Sequence, residues 1–322
     1  MFNTISIIGC GLIGSSILRA VSLKNLAKEI KVFDFSKDVS AYLKKENLCQ
    51  NVTNDIRQCV TDSDLIIIAT PLSSYKEIIL SIKDNLKNGA ILTDTGSVKK
   101  EVIKIIHNMN LKNITWIPSH PIAGTEESGP KSGFAEMFEN RWCIISPPEN
   151  CEKNIINNLK SFWEALGSKV KIMSANEHDQ ILSLTSHLPH AIAYNIVRTV
   201  MNVEDKLKQD VIQYSAGGLR DFTRIAASNP LMWRDIFLDN SENIVKEIDN
   251  FIQKIEELKK AISDKNGDKL YQIFNSTKDV RKEIIKAGQD TKEPGLVENN
   301  LRKFFHFRIY FIFQCFSKNI FF

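Results

Sequence analysis

The chain has 322 residues, enough for two domains with separate cores, and its 43% apolar and 25% charged residues describe a globular protein rather than a disordered or membrane-embedded one. The formal charge of +4 equals that of residues 301–322 alone, where Arg302, Lys303, Arg308 and Lys318 stand without an acid; the neutral body before them offers no basic footprint for nucleic acid. Six cysteines without a Cys-x-x-Cys pair fit reduced thiols in a cytoplasmic protein, and no run of eighteen apolar residues marks a membrane span.

The first residues enter a strand-like run at once, with Ile5–Ile8 as the predicted strand, so no signal peptide is expected. Gly9-Cys10-Gly11-Leu12-Ile13-Gly14 follows and opens a helix of apolar period from Leu12 to Leu23. In that place each glycine of a GxGxxG turn has its own physical reason. Gly9 permits the tight turn, Gly11 lets backbone approach a pyrophosphate, and Gly14 lets helix and strand pack closely. The helix N-terminus, at Leu12 and Ile13, then offers free N–H groups to the phosphates. Ile30–Phe33 predicts the second strand, and Asp34 closes it twenty residues past Gly14. A carboxylate there binds the ribose hydroxyls and repels a 2′-phosphate, so NAD is the expected cofactor.

Further strands are expected at Leu65–Ala69, Ala90–Thr93, Ile114–Ile117, Trp142–Ile145 and Val170–Ile172, separated by segments of helical period. The alternation predicts one parallel sheet, doubly wound and Rossmann-like, covered by helices on both faces. After Met173 the strands stop; Ser174–Met201, Leu231–Ser263 and Asp268–Lys286 read as helices, the first opening on a capping-box pattern, Ser174-Ala175-Asn176-Glu177. The expected plan is therefore α/β then all-α. Residues 1–173 form an NAD-binding domain, 174–290 a helical domain for substrate and dimer contacts, and 291–322 an aromatic, basic tail holding eight of the eighteen phenylalanines. That tail reads as an appendage, with a surface helix touching membrane or partner as its other reading.

In an open α/β sheet ligands sit beyond the carboxyl ends of the strands. Thr70-Pro71, Thr95-Gly96-Ser97 and Ser119-His120 each follow a predicted strand and so share that crevice. Oxidation of an alcohol needs a group that takes the hydroxyl proton as hydride leaves, and neutral histidine suits it. His120 is the candidate base, against the plainer reading of a loop histidine satisfied by backbone. Ser97 is its candidate helper, against a role as cap of a helix starting at Val98. In the helical half, His187 and His190 are three apart and share a face, while His178 would point the opposite way on an ideal helix. No metal site is expected from these residues. Pro189 should kink this helix and free the carbonyl of Thr185, which suggests a pocket wall. Arg220 and Arg224, at i,i+4, can converge on one anion; with Gly217-Gly218 ahead of them and no acid at helical spacing, ligand binding is preferred to a solvated face paired with Asp221.

Four segments, in order, resemble the prephenate and arogenate dehydrogenase family: Thr95-Gly96-Ser97-Val98-Lys99, the stretch from Ser119-His120-Pro121 through Gly124-Thr125-Glu126 to Gly129, Ser186-His187-Leu188-Pro189-His190, and Gly217-Gly218-Leu219-Arg220-Asp221-Phe222-Thr223-Arg224. The resemblance runs from about Thr4 to Asp290 and implies NAD-dependent oxidation and decarboxylation of a cyclohexadienyl dicarboxylate. It implies that His120 accepts the hydrogen bond or proton of the ring hydroxyl with Ser97 assisting, and that Arg224 binds a substrate carboxylate. Thr125, Glu126, Ser186, His190, Arg220, Asp221 and Trp233 would line or gate the pocket, and the helical half would supply a homodimer interface. Another Rossmann-plus-helical oxidoreductase, such as a 3-hydroxy-acid dehydrogenase or a pyrroline carboxylate reductase, stays open as an alternative, although these would more naturally use a lysine of the helical domain. So does an NAD-binding regulator without turnover, which would need neither Ser97 nor His120.

Overall fold

The computed structural model describes residues 2–286 other than 110, 112, 203 and 204; the tail expected at 291–322 lies outside the described residues. In chain order β1 (Phe2–Ile8), α1 (Leu12–Leu23), β2 (Ala27–Phe33), α2 (Lys37–Lys45), β3 (Asn51–Thr53), α3 (Ile56–Val60), β4 (Leu65–Ile68), α4 (Tyr75–Ile82), β5 (Ile91–Asp94), α5 (Lys100–His107) and β6 (Thr115–Trp116) alternate strand with helix. The strands form a six-stranded parallel sheet in the order β3-β2-β1-β4-β5-β6. Leu-Ile-Ile-Ile of β4 is buried throughout, as an unbroken apolar run should be when both faces of a parallel sheet are covered. Its odd residues, Leu65 and Ile67, join the core under α1 with Ile17, Leu18 and Val21. Its even residues, Ile66 and Ile68, join the opposite core with Ile78 and Ile82 of α4. The order of winding reverses between β1 and β4, which opens a crevice at their carboxyl ends.

The expectation of a single sheet is corrected at Pro118. The Ile117 N–H still donates to Leu92 O, but the next rung, from Ser119 N, goes to the Asp94 carboxylate at 3.1 Å. The chain then leaves the first sheet and enters a second, built from β7 (Ser119–Pro121), β8 (Trp142–Ile145) and, after α6 (Lys153–Ala165), β9 (Lys169–Ile172). β7 is antiparallel to β8, and β8 is parallel to β9. His120 is therefore a strand residue opposite Ile144, not a loop residue.

Beyond β9 the structure is helical. The expected capping box is present at α7 (Ala175–Leu182): Ser174 Oγ accepts from Glu177 N at 3.2 Å, and the Glu177 carboxylate accepts from Ser174 N at 2.9 Å. Ser183–His187 then forms a π turn, in which the Leu188 N–H donates to Ser183 O, before α8 (Leu188–Met201) continues. The wide turn accommodates the missing N–H of Pro189, where a simple kink is the sequence expectation. α9 (Asp205–Gln213), α10 (Gly217–Thr223), α11 (Pro230–Asp239), α12 (Ser241–Ser263) and α13 (Gly267–Lys286) follow. The helix expected at Leu231–Ser263 is thus two, parted at Asn240, whose side chain is held by Asp179 O and His187. Trp233 and Ile236 of α11 pack into the core beneath α4 and so bring the helical region to the sheet. The described residues pack as two units that part between Phe251 and Ile252. Among them no helix is long and apolar enough to cross a membrane.

Candidate active site

The turn after β1 is shaped by what its glycines leave out. Gly9 has φ +87, and a Cβ on it would stand 2.5 Å from Thr70 Cγ2 and 2.8 Å from Ala69 O. A Cβ on Gly14 would stand 2.0 Å from Gly9 O, closer than any packing allows, whereas one on Gly11 would point into open space. The chain thus folds tightly on itself at Gly9 and Gly14 and leaves room at Gly11, where α1 begins without a side-chain cap. The uncapped N–H groups around Leu12 and Ile13 suit an anionic group. Asp34 lies beside this turn: its carboxylate accepts from Cys10 N at 2.7 Å and from Ser36 N at 2.8 Å. Thr70 and Pro71 follow β4, with the Ser74 hydroxyl donating to Thr70 Oγ1 at 2.8 Å, and Thr95 follows β5. The residues present fit a dinucleotide: a cradle for two phosphates and a carboxylate for a ribose.

Next to this cradle lies a buried polar block. Lys99, fully buried, donates from Nζ to Asp94 at 2.5 Å and to Ser119 O at 2.8 Å. Asp94 also accepts from Tyr75 Oη at 3.1 Å and from Gly96 N at 2.8 Å. These bonds fix the loop that carries Ser97 and the strand that carries His120. Ser97 itself is half-buried and, among the described residues, has no side-chain partner. It does not cap a helix: α5 starts at Lys100, and the carboxylate that accepts from its first N–H groups, those of Lys99 and Lys100, is Asp179 at 2.9 Å each. An acid from α7 satisfies that helix end better than a serine two residues before it.

His120 is 8% exposed, and its Nδ1 lies 2.8 Å from His178 Nε2. His178 Nδ1 lies 2.7 Å from Asp179 Oδ1. Burial first, and then His178, Lys99 and His187 nearby, hold the His120 imidazole well below the usual histidine range, so it is neutral. The expectation that His178 points away from the His187 and His190 side is corrected: nine residues set it opposite His187 on an ideal helix, but the π turn lessens the twist between them, and both rings are buried and near enough to interact. His187 Nδ1 faces Asn240 Nδ2 at 3.1 Å, and burial pushes this ring down to about 4. His190 Nδ1 donates to Ser186 O at 2.8 Å, and the ring stacks on Trp233 with centroids 3.6 Å apart. Burial lowers His190 too, with Arg224 adding to the effect. Among the described residues no His, Cys, Asp or Glu group of three or more could hold a metal ion.

The remaining candidates lie toward solvent. Thr125 Oγ1 accepts from Glu127 N at 3.2 Å and so shapes its own turn. Arg224, past the end of α10, donates to Glu126 at 3.0 Å. Arg220 faces Asp221 at 3.4 Å, both 76% exposed. The two guanidinium groups thus engage different carboxylates, and the acid absent from the helical spacing reaches Arg224 from a loop 98 positions earlier. Sequence reasoning misses Asp94, Asp179 and Asn240, meets Lys99 only as the last residue of the Thr95–Lys99 segment, and sets His178 aside. For His178 and Asp179 their adjacency, just inside a capped helix, is the one local signal; nothing local marks Asp94 or Asn240.

Comparison with known proteins bears on this arrangement. A family model described as the prephenate dehydrogenase nucleotide-binding domain matches residues 19–172, and one described as the prephenate dehydrogenase dimerization domain matches residues 174–276. The cyclohexadienyl dehydrogenase of Zymomonas mobilis is 39% identical over 281 residues, which is 87% of this chain and 96% of the relative. The prephenate dehydrogenase of Bacillus subtilis is 30% identical over 282 residues, 87% of this chain and 76% of the relative. The crystal structure of prephenate dehydrogenase from Aquifex aeolicus, in complex with hydroxyphenyl propionate and NAD+, has a TM-score of 0.81 at 30% identity and covers 88% of this chain and 99% of its own.

Proposed function

The chain belongs to the prephenate dehydrogenase family, and we propose that it converts prephenate to 4-hydroxyphenylpyruvate and carbon dioxide, or arogenate to tyrosine, with NAD as oxidant. The observation that carries this reading is His120: a buried neutral imidazole on a strand tied through Ser119 to Asp94 at the carboxyl end of β5 and to Lys99 of the loop after it, whose Nδ1 is engaged and whose Nε2 remains for a substrate. NAD, held by the Gly9–Gly14 turn and Asp34, would supply the hydride acceptor for the ring carbinol carbon. Meanwhile His120 Nε2 holds the proton of the ring hydroxyl and returns it to the phenolate oxygen once the ring is aromatic, so no net proton is consumed. Ser97, free of other partners among the described residues, shares that hydroxyl.

Arg224 binds a substrate carboxylate by exchanging its exposed partner Glu126 for the ligand. Thr125, Ser186, His187, His190, Arg220, Asp221 and Trp233 complete or gate the pocket. The division of labour falls at residue 173, with cofactor contacts before it and substrate and homodimer contacts after it. The thiols of Cys10, Cys49, Cys59, Cys143 and Cys151, all free, suit the cytoplasm. The test is direct: purified protein with NAD and each of the two substrates, followed by NADH formation. Turnover of either supports the reading and names the preferred substrate; turnover of neither overturns it.

A further inference from the structure

The hydrogen bonds around His120 run in one direction. An ionised carboxylate can only accept, so Asp179 Oδ1, 2.7 Å from His178 Nδ1, requires the hydrogen of His178 to sit on Nδ1. A neutral His178 then presents a bare Nε2, which at 2.8 Å must accept from His120 Nδ1–H. His120 is left with its hydrogen on Nδ1 and a lone pair on Nε2. The direction is anchored: Asp179, with a side chain 1% exposed, also accepts from Lys99 N and Lys100 N at 2.9 Å each, so it cannot swing away without uncapping α5.

We propose that Asp179 and His178 are positioning residues that fix the tautomer and ring orientation of His120 and share its charge while it holds the substrate proton. The inference rests on the role proposed for His120. During that step the O–H bond of the ring hydroxyl breaks as an N–H bond forms at His120 Nε2. The imidazolium so formed keeps its Nδ1–H on His178, which is itself polarised by the Asp179 carboxylate. The titratable groups near this path are Asp94 at the end of β5, Lys99 from the loop after it, His187 from the π turn, and Cys143 of β8 beside β7, whose thiol burial pushes well up so that it carries no charge. Lys99 and the neighbouring rings disfavour a cation on His120, and Asp179 is the acid in line to offset them. Burial lowers His178 as well, in keeping with a neutral ring in the resting protein.

Two measurements test the relay. Nitrogen-15 histidine spectra of the wild-type protein, without cofactor or substrate, should show His120 protonated at Nδ1 and bare at Nε2; the reverse tautomer would overturn the proposal. In turnover, His178→Phe removes the acceptor and should lower kcat on the order of 10²-fold at unchanged KM for NAD, since a wrongly held tautomer of a catalytic imidazole costs up to about 10⁴. The acid limb of its kcat profile should move to lower pH, because the imidazolium loses its partner. His178→Gln keeps an acceptor for His120 and should recover about tenfold of the loss, and it stands in should the Phe variant not fold. A silent His178→Phe beside a dead His120→Asn would sink the relay and leave the base; an active His120→Asn would sink the base, and the spectra would still decide the tautomer.

Discussion

At Asp34 the two carboxylate oxygens each accept one backbone N–H and retain capacity for a ribose hydroxyl, while their charge would meet a 2′-phosphate at close range. NAD should therefore be preferred over NADP by a large factor in kcat/KM, and Asp34→Ser should narrow the gap mainly by weakening NAD. Equal use of the two by the wild type would contradict this. His120→Asn should lose on the order of 10²–10⁴ in kcat, the usual worth of a general base, with NAD affinity by fluorescence titration unchanged. The sign of its pH dependence follows from burial. A histidine lowered well below its ordinary value stays neutral further into acid, so kcat should be flat through the ordinary histidine range and fall only below it. An acid limb at the ordinary value would mean that the ring is more solvated than its 8% exposure indicates. For Arg224 the pair with Glu126 is 59% and 33% exposed and adds little to stability, so Arg224→Ala should fold. It should cost about 2–5 kcal/mol of substrate binding, seen as a steep rise in KM for substrate alone; a parallel rise for NAD would make the arginine structural. Of these residues the Gly9–Gly14 turn and Asp34 are legible in the sequence because their spacing is local. The contacts His178–His120 and Glu126–Arg224 are not, since 58 and 98 positions separate partners that only the fold brings together.

The elements carry the same contrast. The capping box at Ser174 is written in four consecutive residues and forms as read. Ser174→Ala should cost about 1 kcal/mol, as loss of an N-cap hydroxyl commonly does, and lower Tm by a few degrees. Because Asp179 is also tied to Lys99 and Lys100, α7 should keep its place and kcat should hardly change. A loss of turnover without loss of Tm would show that the cap tunes the site rather than the helix. The second sheet and the π turn are less visible. Ser119–Pro121 is a three-residue strand with a proline at its end, too short to show a period. The π turn adds no distinctive residue; it changes the angular step, so face assignments made with 3.6 residues per turn fail beyond it. Asn240 parts α11 from α12 through two side-chain bonds, and apolar periodicity passes over the break unmarked.

At the scale of the whole molecule, the helices after residue 174 hold most of the large apolar side chains left exposed among the described residues. On α12, Ile252, Ile255 and Ile262 are 52%, 43% and 57% exposed, and their spacing puts them on one side of the helix. A stripe of this kind on a chain of neutral body charge is costly to leave in water and suits a self-complementary face. The region also falls within the match to the dimerization-domain model, residues 174–276. The expected assembly is therefore a homodimer, measured by light scattering coupled to size exclusion at low micromolar protein. Ile255→Glu with Ile262→Glu should raise the dimer dissociation constant by at least about tenfold, since each buried isoleucine is worth roughly 1.5–3 kcal/mol and each new charge must be desolvated. Helix content by circular dichroism should stay as it was, because both positions face outward. A wild-type monomer would leave the exposed stripe without a partner copy. An unaltered dimer in the double variant would move the interface to other helices of the same region, with Ile181, Leu184 and Met201 the next exposed side chains to substitute.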